Sequence, residues 1–174
     1  MSVIPPRPRV TDLPIRMAAA RKILPRIYEW MGKTREEHDD DADSLAGLML
    51  AGADGYQLAR GLEDEWGIQP NADLVDVLGI AGGQLDMVHR AAVVGWVIAN
   101  DIKTDLRVGQ RAQVKSGPDA GAVGTIVRVM RETGTLLLCC EGLGHVTDGP
   151  GVHGIVLPYE NVEAAPAPAL EGAA

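Results

Sequence analysis

The chain is 174 residues long, 46% hydrophobic and 23% charged, with a formal net charge of −8. That length holds one ordinary domain or two small ones, and the balance of apolar to charged residues excludes a chain disordered throughout. Two adjacent cysteines, Cys139 and Cys140, exclude a disulfide framework, and aromatic residues make up only 3%, with no Phe.

The charge is unevenly spread. Residues 1–35 carry +6, residues 36–101 carry −12 and residues 104–174 carry −3. A basic leading segment beside an acidic body either binds an acidic partner or lies across the chain's own acidic helices. Val3-Ile4 is followed at once by Pro5-Pro6-Arg7-Pro8-Arg9, which does not fit a signal peptide. The longest apolar stretch, 91–99, is too short for a membrane span of about 20 residues. A cytoplasmic protein with no membrane partner is expected.

Residues 1–12 form an extended arm, because Pro5, Pro6 and Pro8 remove donors and favour polyproline II. Thr11, Asp12 and Pro14 mark a helix start, and apolar positions at helical spacing (Met17, Ala20, Leu24, Ile27, Trp30) carry that helix to Trp30. Pro25 should kink it or split it in two. A second helix, capped by Asp41 or Asp43, presents Leu45, Leu48 and Met49. Asp54 caps a third, with Leu58, Leu62 and Trp66 four apart, and Gly67 suits a left-handed end. Pro70-Asn71 opens a fourth, with Leu74, Val77 and Leu78 on one face. Gly79, Gly82 and Gly83 should break the pattern, so the fifth helix is expected from Gln84 to about Asp101, with Leu85, Val88, Ala92 and Trp96 as its stripe. Residues 13–103 therefore read as a helical bundle domain, with Trp30, Trp66 and Trp96 in its core.

From Leu106 the period falls to two and β-branched residues and glycines take over. Strands are expected at 110–115, 122–130, 135–141, 152–157 and 162–163, with a tight turn over 158–161. Five short strands in so few residues suit a small closed barrel over 106–163. An Ala/Pro-rich disordered tail is expected over 164–174. The fold class is α+β in two domains, a helical bundle followed by a small SH3-like barrel.

One segment is distinctive. After Val114-Lys115 comes Ser116-Gly117-Pro118-Asp119-Ala120-Gly121, then the strand Ala122-Val123-Gly124-Thr125-Ile126-Val127-Arg128-Val129. The chain must reverse sharply here, and a left-handed or crowded position favours Gly. This segment resembles the KOW motif of small SH3-like barrels, found in NusG-type transcription-elongation factors and some ribosomal proteins. The lead-in Leu106-Arg107-Val108-Gly109-Gln110 and the turn Leu157-Pro158-Tyr159-Glu160-Asn161-Val162 fit the same pattern. The resemblance implies a barrel that binds RNA, ribosomal surfaces or other proteins. The chain departs from it at Ala120, where RNA-touching relatives often carry a base. The barrel is also net acidic, with Arg111, Lys115, Arg128 and Arg131 as its central bases and Tyr159 as its one aromatic residue, so it is a poor binder of phosphate or stacked bases. The Val-Gly lead-in also resembles the barrel of nitrile hydratase β-type subunits, an analogy of fold alone.

Other constellations weigh less. A helix–turn–helix reading of 55–78 fails, because the second helix holds Asp73 and Asp76 and no base. A calcium loop from Asp39 fails, because Ser44 and Leu50 stand where Gly and Glu are needed. Cys139, Cys140, His145, Asp148 and His153 are metal-ligand types, but adjacent cysteines on a strand point to opposite faces, so one is core and the other surface.

No catalytic set, cofactor or metal follows from these residues. The reading is a non-enzymatic binding or adaptor protein, in character a phage or bacterial accessory protein, that docks onto a protein or ribonucleoprotein assembly. Its expected partner-binding residues are Arg7, Arg9 and Arg16 near the start, Lys115, Arg128 and Arg131 on the barrel, and His145, Asp148 and His153 in or beside the 142–151 loop. Direct RNA or DNA binding through the basic arm is the second reading. A structural subunit of a large particle, tied through that arm, is another.

Overall fold

A computed structural model of the chain describes residues 4–33, 39–50, 53–140 and 154–165. The chain divides into two compact units, Met1–Trp96 and Val97–Ala174. The division falls in the last turn of the fifth helix, ahead of the change of period that marks the expected boundary.

The first unit is helical: α1 (Leu13–Trp30), α2 (Asp39–Leu48), α3 (Gly55–Trp66), α4 (Ala72–Gly79) and most of α5 (Ala81–Ala99). Helix α1 buries Ile15, Ala19, Ala20, Ile23, Leu24, Ile27 and Tyr28 along one face. Pro25 does not split it. A proline costs the helix one bond to the carbonyl four residues back, and seven buried side chains on either side of it outweigh that loss. Helix α2 begins at Asp39, so Asp41 and Asp43 sit inside it and do not cap it. Helix α3 starts with a capping box: Asp54 accepts from the Gln57 backbone N–H, and the Gln57 side chain accepts from that of Asp54. It ends at Gly67 with φ +65°. Asn71 caps α4 through the Leu74 N–H at 2.9 Å.

The core of this unit joins the buried faces of α1 to α4 with Ala81 and Leu85 of α5. Helix α5 runs through Gly82 and Gly83, contrary to the expected start at Gln84. Each interior glycine costs roughly 1 kcal/mol of propensity, but burying Ala81 and Leu85 repays the early start. The tryptophans also differ from expectation. Trp30 and Trp66 are half-buried and pack against the core from its edge, whereas Trp96, also half-buried, does not join it. Trp66 donates from Nε1 to Ser44 Oγ at 3.0 Å, and an indole whose N–H needs a partner stays where it finds one.

In the second unit, β1 (Arg111–Val114), β2 (Val123–Met130), β3 (Thr135–Cys140), β4 (Ile155–Pro158) and β5 (Val162–Ala164) make one antiparallel sheet of order β4-β3-β2-β1-β5. The outermost strands, β4 and β5, are consecutive in the chain and joined only by a 3₁₀ turn, Tyr159–Asn161. A flat sheet would hold them about 19 Å apart. Three linking residues reach about 14 Å at most, so the sheet has to curl as an SH3-like barrel does. The concave face gathers Ala112, Val114, Ile126, Leu136, Leu138, Cys140, Tyr159 and Val162. The fold class is therefore α+β, a helical part followed by a small, curled sheet. Strand β5 reaches Ala164, which pairs with Ala112, one residue into the expected tail. Ala165 continues it, donating its N–H to the Arg111 carbonyl at 3.1 Å, and residues 166–174 lie outside the described residues.

Candidate functional site

The β1–β2 connection is built by its glycines. Gly117 and Gly121 take φ +99° and +91°, values that L side chains rarely adopt. The turn closes through Gly121 N–H to the Val114 carbonyl at 2.8 Å and Val114 N–H to the Ala122 carbonyl at 2.9 Å. Gly124 has a different reason to be glycine. A β-carbon there would lie 2.4 Å from the Cys139 carbonyl oxygen.

That turn carries Lys115. Its N–H donates to the Asn161 carbonyl at 2.8 Å, and Ser116 Oγ donates to Asn161 Oδ1 at 3.1 Å, so the turn is tied to the 3₁₀ turn before β5. The Lys115 side chain is exposed, as are Ser116, Gly117, Pro118 and Ala120. Arg128 is exposed because of a bulge. Pairing of β2 with β3 runs Ile126 with Leu138 and then Arg128 with Leu137, so the register shifts by one between them. Without that extra residue Arg128 would share the core face of Gly124 and Ile126.

Arg131 opens the β2–β3 turn and is exposed. With Ile102, Lys103, Thr104, Asp105 and Tyr159 it lines a cavity of about 410 Å³. Lys103 Nζ pairs with Asp101 Oδ2 at 2.7 Å, and Thr104 Oγ1 accepts from the Leu106 N–H at 3.2 Å. Two bases beside two acids make a locally balanced site. With the Lys103 ammonium held by Asp101, it offers little to an extended polyanion. Sequence reasoning missed this cavity, since only the fold joins the segment before β1 to the β2–β3 turn.

The two cysteines take opposite sides, Cys139 exposed and Cys140 buried. Burial raises the Cys140 thiol pKa above its ordinary value, with the neighbouring Cys139 and Asp119 adding to the shift. His145, Asp148 and His153 lie outside the described residues. Among the described residues, no three of His, Cys, Asp or Glu gather where they would hold a metal ion. No helix of the described residues is long and apolar enough to cross a membrane.

In the helical unit the expected binding residues separate. Arg9 is exposed, and its N–H donates to Asp12 Oδ2 at 2.7 Å. Arg7 lies over the Trp96 ring, 5.1 Å from its centre. Arg16 turns inward, donating from Nη1 to the Ala46 carbonyl at 2.8 Å and so tying α1 to the end of α2. The arm lies on α5: Trp96 Nε1 donates to the Pro5 carbonyl at 2.9 Å, and His89 Nε2 is 3.1 Å from the Pro8 carbonyl. The arm is thus held by hydrogen bonds and a cation–π contact.

Residues 108–138 match the KOW motif family. The match spans β1, the glycine turn, β2 and most of β3, and it includes Lys115, Arg128 and Arg131. It supports a binding role of the kind found in ribosomal and NusG-like proteins. A comparison with curated proteins finds no match.

Proposed function

We propose that the chain is a non-enzymatic adaptor that docks onto a ribonucleoprotein assembly, with the KOW-containing sheet unit as its reading head. The observation that carries this reading is the KOW match over residues 108–138, on a turn that presents Lys115 outward. Arg128 and Arg131 add two exposed cations on the same unit. Among the described residues of that unit, six exposed bases (Lys103, Arg107, Arg111, Lys115, Arg128 and Arg131) are offset by six acids, and its one aromatic, Tyr159, is buried; this suits a mixed protein and phosphate surface better than naked nucleic acid, which needs a net basic face or a stacking platform.

The test is co-sedimentation of the purified full chain with ribonucleoprotein particles, beside a Lys115→Ala/Arg128→Ala/Arg131→Ala variant and beside naked RNA. The expected result is particle binding that drops at least tenfold in the variant, with weak, strongly salt-dependent retention on naked RNA. Equal binding by the variant, or tight binding to naked RNA alone, overturns it; the latter favours a nucleic-acid-binding accessory factor.

A further inference from the structure

The two α5 groups that hold the arm are seven residues apart, which sets them two helical turns apart on one face, about 10.5 Å along the axis. The carbonyls they bind, Pro5 and Pro8, are three residues apart, about 9 Å in polyproline II. The helix thus offers two N–H donors at the repeat of one polyproline turn, and the side chain inside that turn, Arg7, stacks on Trp96. Val93 lies between His89 and Trp96 on the same face. It is buried, yet it belongs to neither apolar core cluster. These features make the α5 face a seat for a Pro-Pro-Arg-Pro strand.

From this geometry we infer that the seat is exchangeable between copies: the arm of one chain docks on His89 and Trp96 of a second copy. The occupant is argued from three features. The arm's own sequence fits the seat in register. Its bases complement the acidic body of the chain, residues 36–101 at −12, while α5 itself is balanced, with Asp86 against Arg90. The arm joins α1 through a short turn, Asp12 N–H to the Arg9 carbonyl at 3.0 Å, with Val10 packed on the helical core, so a change of direction just ahead of that turn redirects Pro5 to Pro8 and leaves the core in place. The contacts made between chains are the same as those made within one. The balance is therefore set by chain concentration against the effective concentration of the tethered arm, about millimolar for a short tether. Exchange then belongs to a crowded assembly of copies, and it goes beyond the adaptor reading without resting on it.

Complementary full-length variants test it. Pro5→Gly/Arg7→Ala/Pro8→Gly spoils the arm and leaves the seat open. His89→Ala/Trp96→Ala spoils the seat and frees an intact arm. In analytical ultracentrifugation each alone is expected at the monomer mass, and an equimolar mixture is expected to shift toward twice that mass. A chain carrying all five substitutions is expected to stay monomeric with either partner. Should the seat variant lose its circular-dichroism signature, Trp96→Phe, which keeps an aromatic ring and removes the indole donor, takes its place. A mixture that stays monomeric up to about 1 mM, or self-association as strong in either variant alone as in the mixture, overturns the inference.

Discussion

Gly124 pairs with Cys140 across β2 and β3 and lies directly against the backbone of Cys139, so a β-carbon at 124 would meet the Cys139 carbonyl oxygen at 2.4 Å and its carbonyl carbon at 2.8 Å. Backbone cannot step aside as a flexible side chain can, so Gly124→Ala must part the two strands or tilt them. We expect it to destabilise the sheet unit by about 3 kcal/mol, in the upper range for overpacked sites. Gly121→Ala has open space around it but a φ of +91°, and the expected cost there is about 1–2 kcal/mol. Denaturant unfolding of the two variants checks the order. A milder effect at 124 than at 121 would contradict the close packing.

The inward position of Arg16 separates it from the other bases of the N-terminal segment. Its Nη1 hydrogen bond to the Ala46 carbonyl joins helices thirty residues apart in the chain, while its Nε is buried with no protein partner. Arg16→Ala is expected to lower stability by about 1–2 kcal/mol through the stranded carbonyl and lost packing, and to leave particle binding unchanged. The exposed Lys115 and Arg128 should behave in the opposite way, shifting binding with stability held within about 0.5 kcal/mol. Thermal melts run beside the co-sedimentation assay distinguish the two classes.

These contrasts show what sequence pattern carries. The glycines at 117, 121 and 124 were legible because turn geometry and crowding leave few alternatives, and the five strands follow from alternation and β-branching. The capping box at Asp54 and the left-handed Gly67 are local motifs with local causes. The bulge that turns Arg128 outward was not legible: Val123 to Met130 reads as an unbroken strand, and the extra residue shows only against its partner β3. Nor was the inward turn of Arg16, because a base in a basic segment looks the same whether its partner is solvent or a distant carbonyl. The tryptophans stand in helical register, but register gives the side of the helix and not how far along it the core extends. The seat formed by His89 and Trp96 needs a segment more than eighty residues away to define it.

Tyr28 ties α1 to α2 by donating its hydroxyl to Asp41 Oδ2 at 2.5 Å. Burial first, and then the Asp41 hydrogen bond and charge, push its pKa up from 10.0 to about 12. The folded state therefore keeps the phenol proton in a range where the unfolded chain has lost it. The resulting stability is complete below pH 10 and is lost as pH rises toward 12. Unfolding free energy measured across that interval should fall more steeply for the unsubstituted chain than for Tyr28→Phe, which has no proton to lose. Parallel slopes would mean that the phenol ionises as freely in the fold as outside it.

The paired thiols give the last prediction, because neighbours in sequence meet opposite environments. Cys139 faces outward beside Thr125, its pairing partner on β2, while Cys140 packs into the concave core with Ile126 and Leu138. Thiolate is the reactive form, and burial both raises the Cys140 pKa and bars the reagent. A disulfide reagent at pH 8 should therefore titrate one thiol per chain quickly, and the second only on the timescale of unfolding. Cys139→Ser should remove the fast phase and leave the slow one. Cys140→Ser should do the reverse and also lower stability, because it places a hydroxyl in an apolar core without an assigned partner. Two thiols reacting at one rate in the native chain would show that β3 does not hold its alternating faces, and the inward row Leu136, Leu138 and Cys140 that closes the sheet would lose its support.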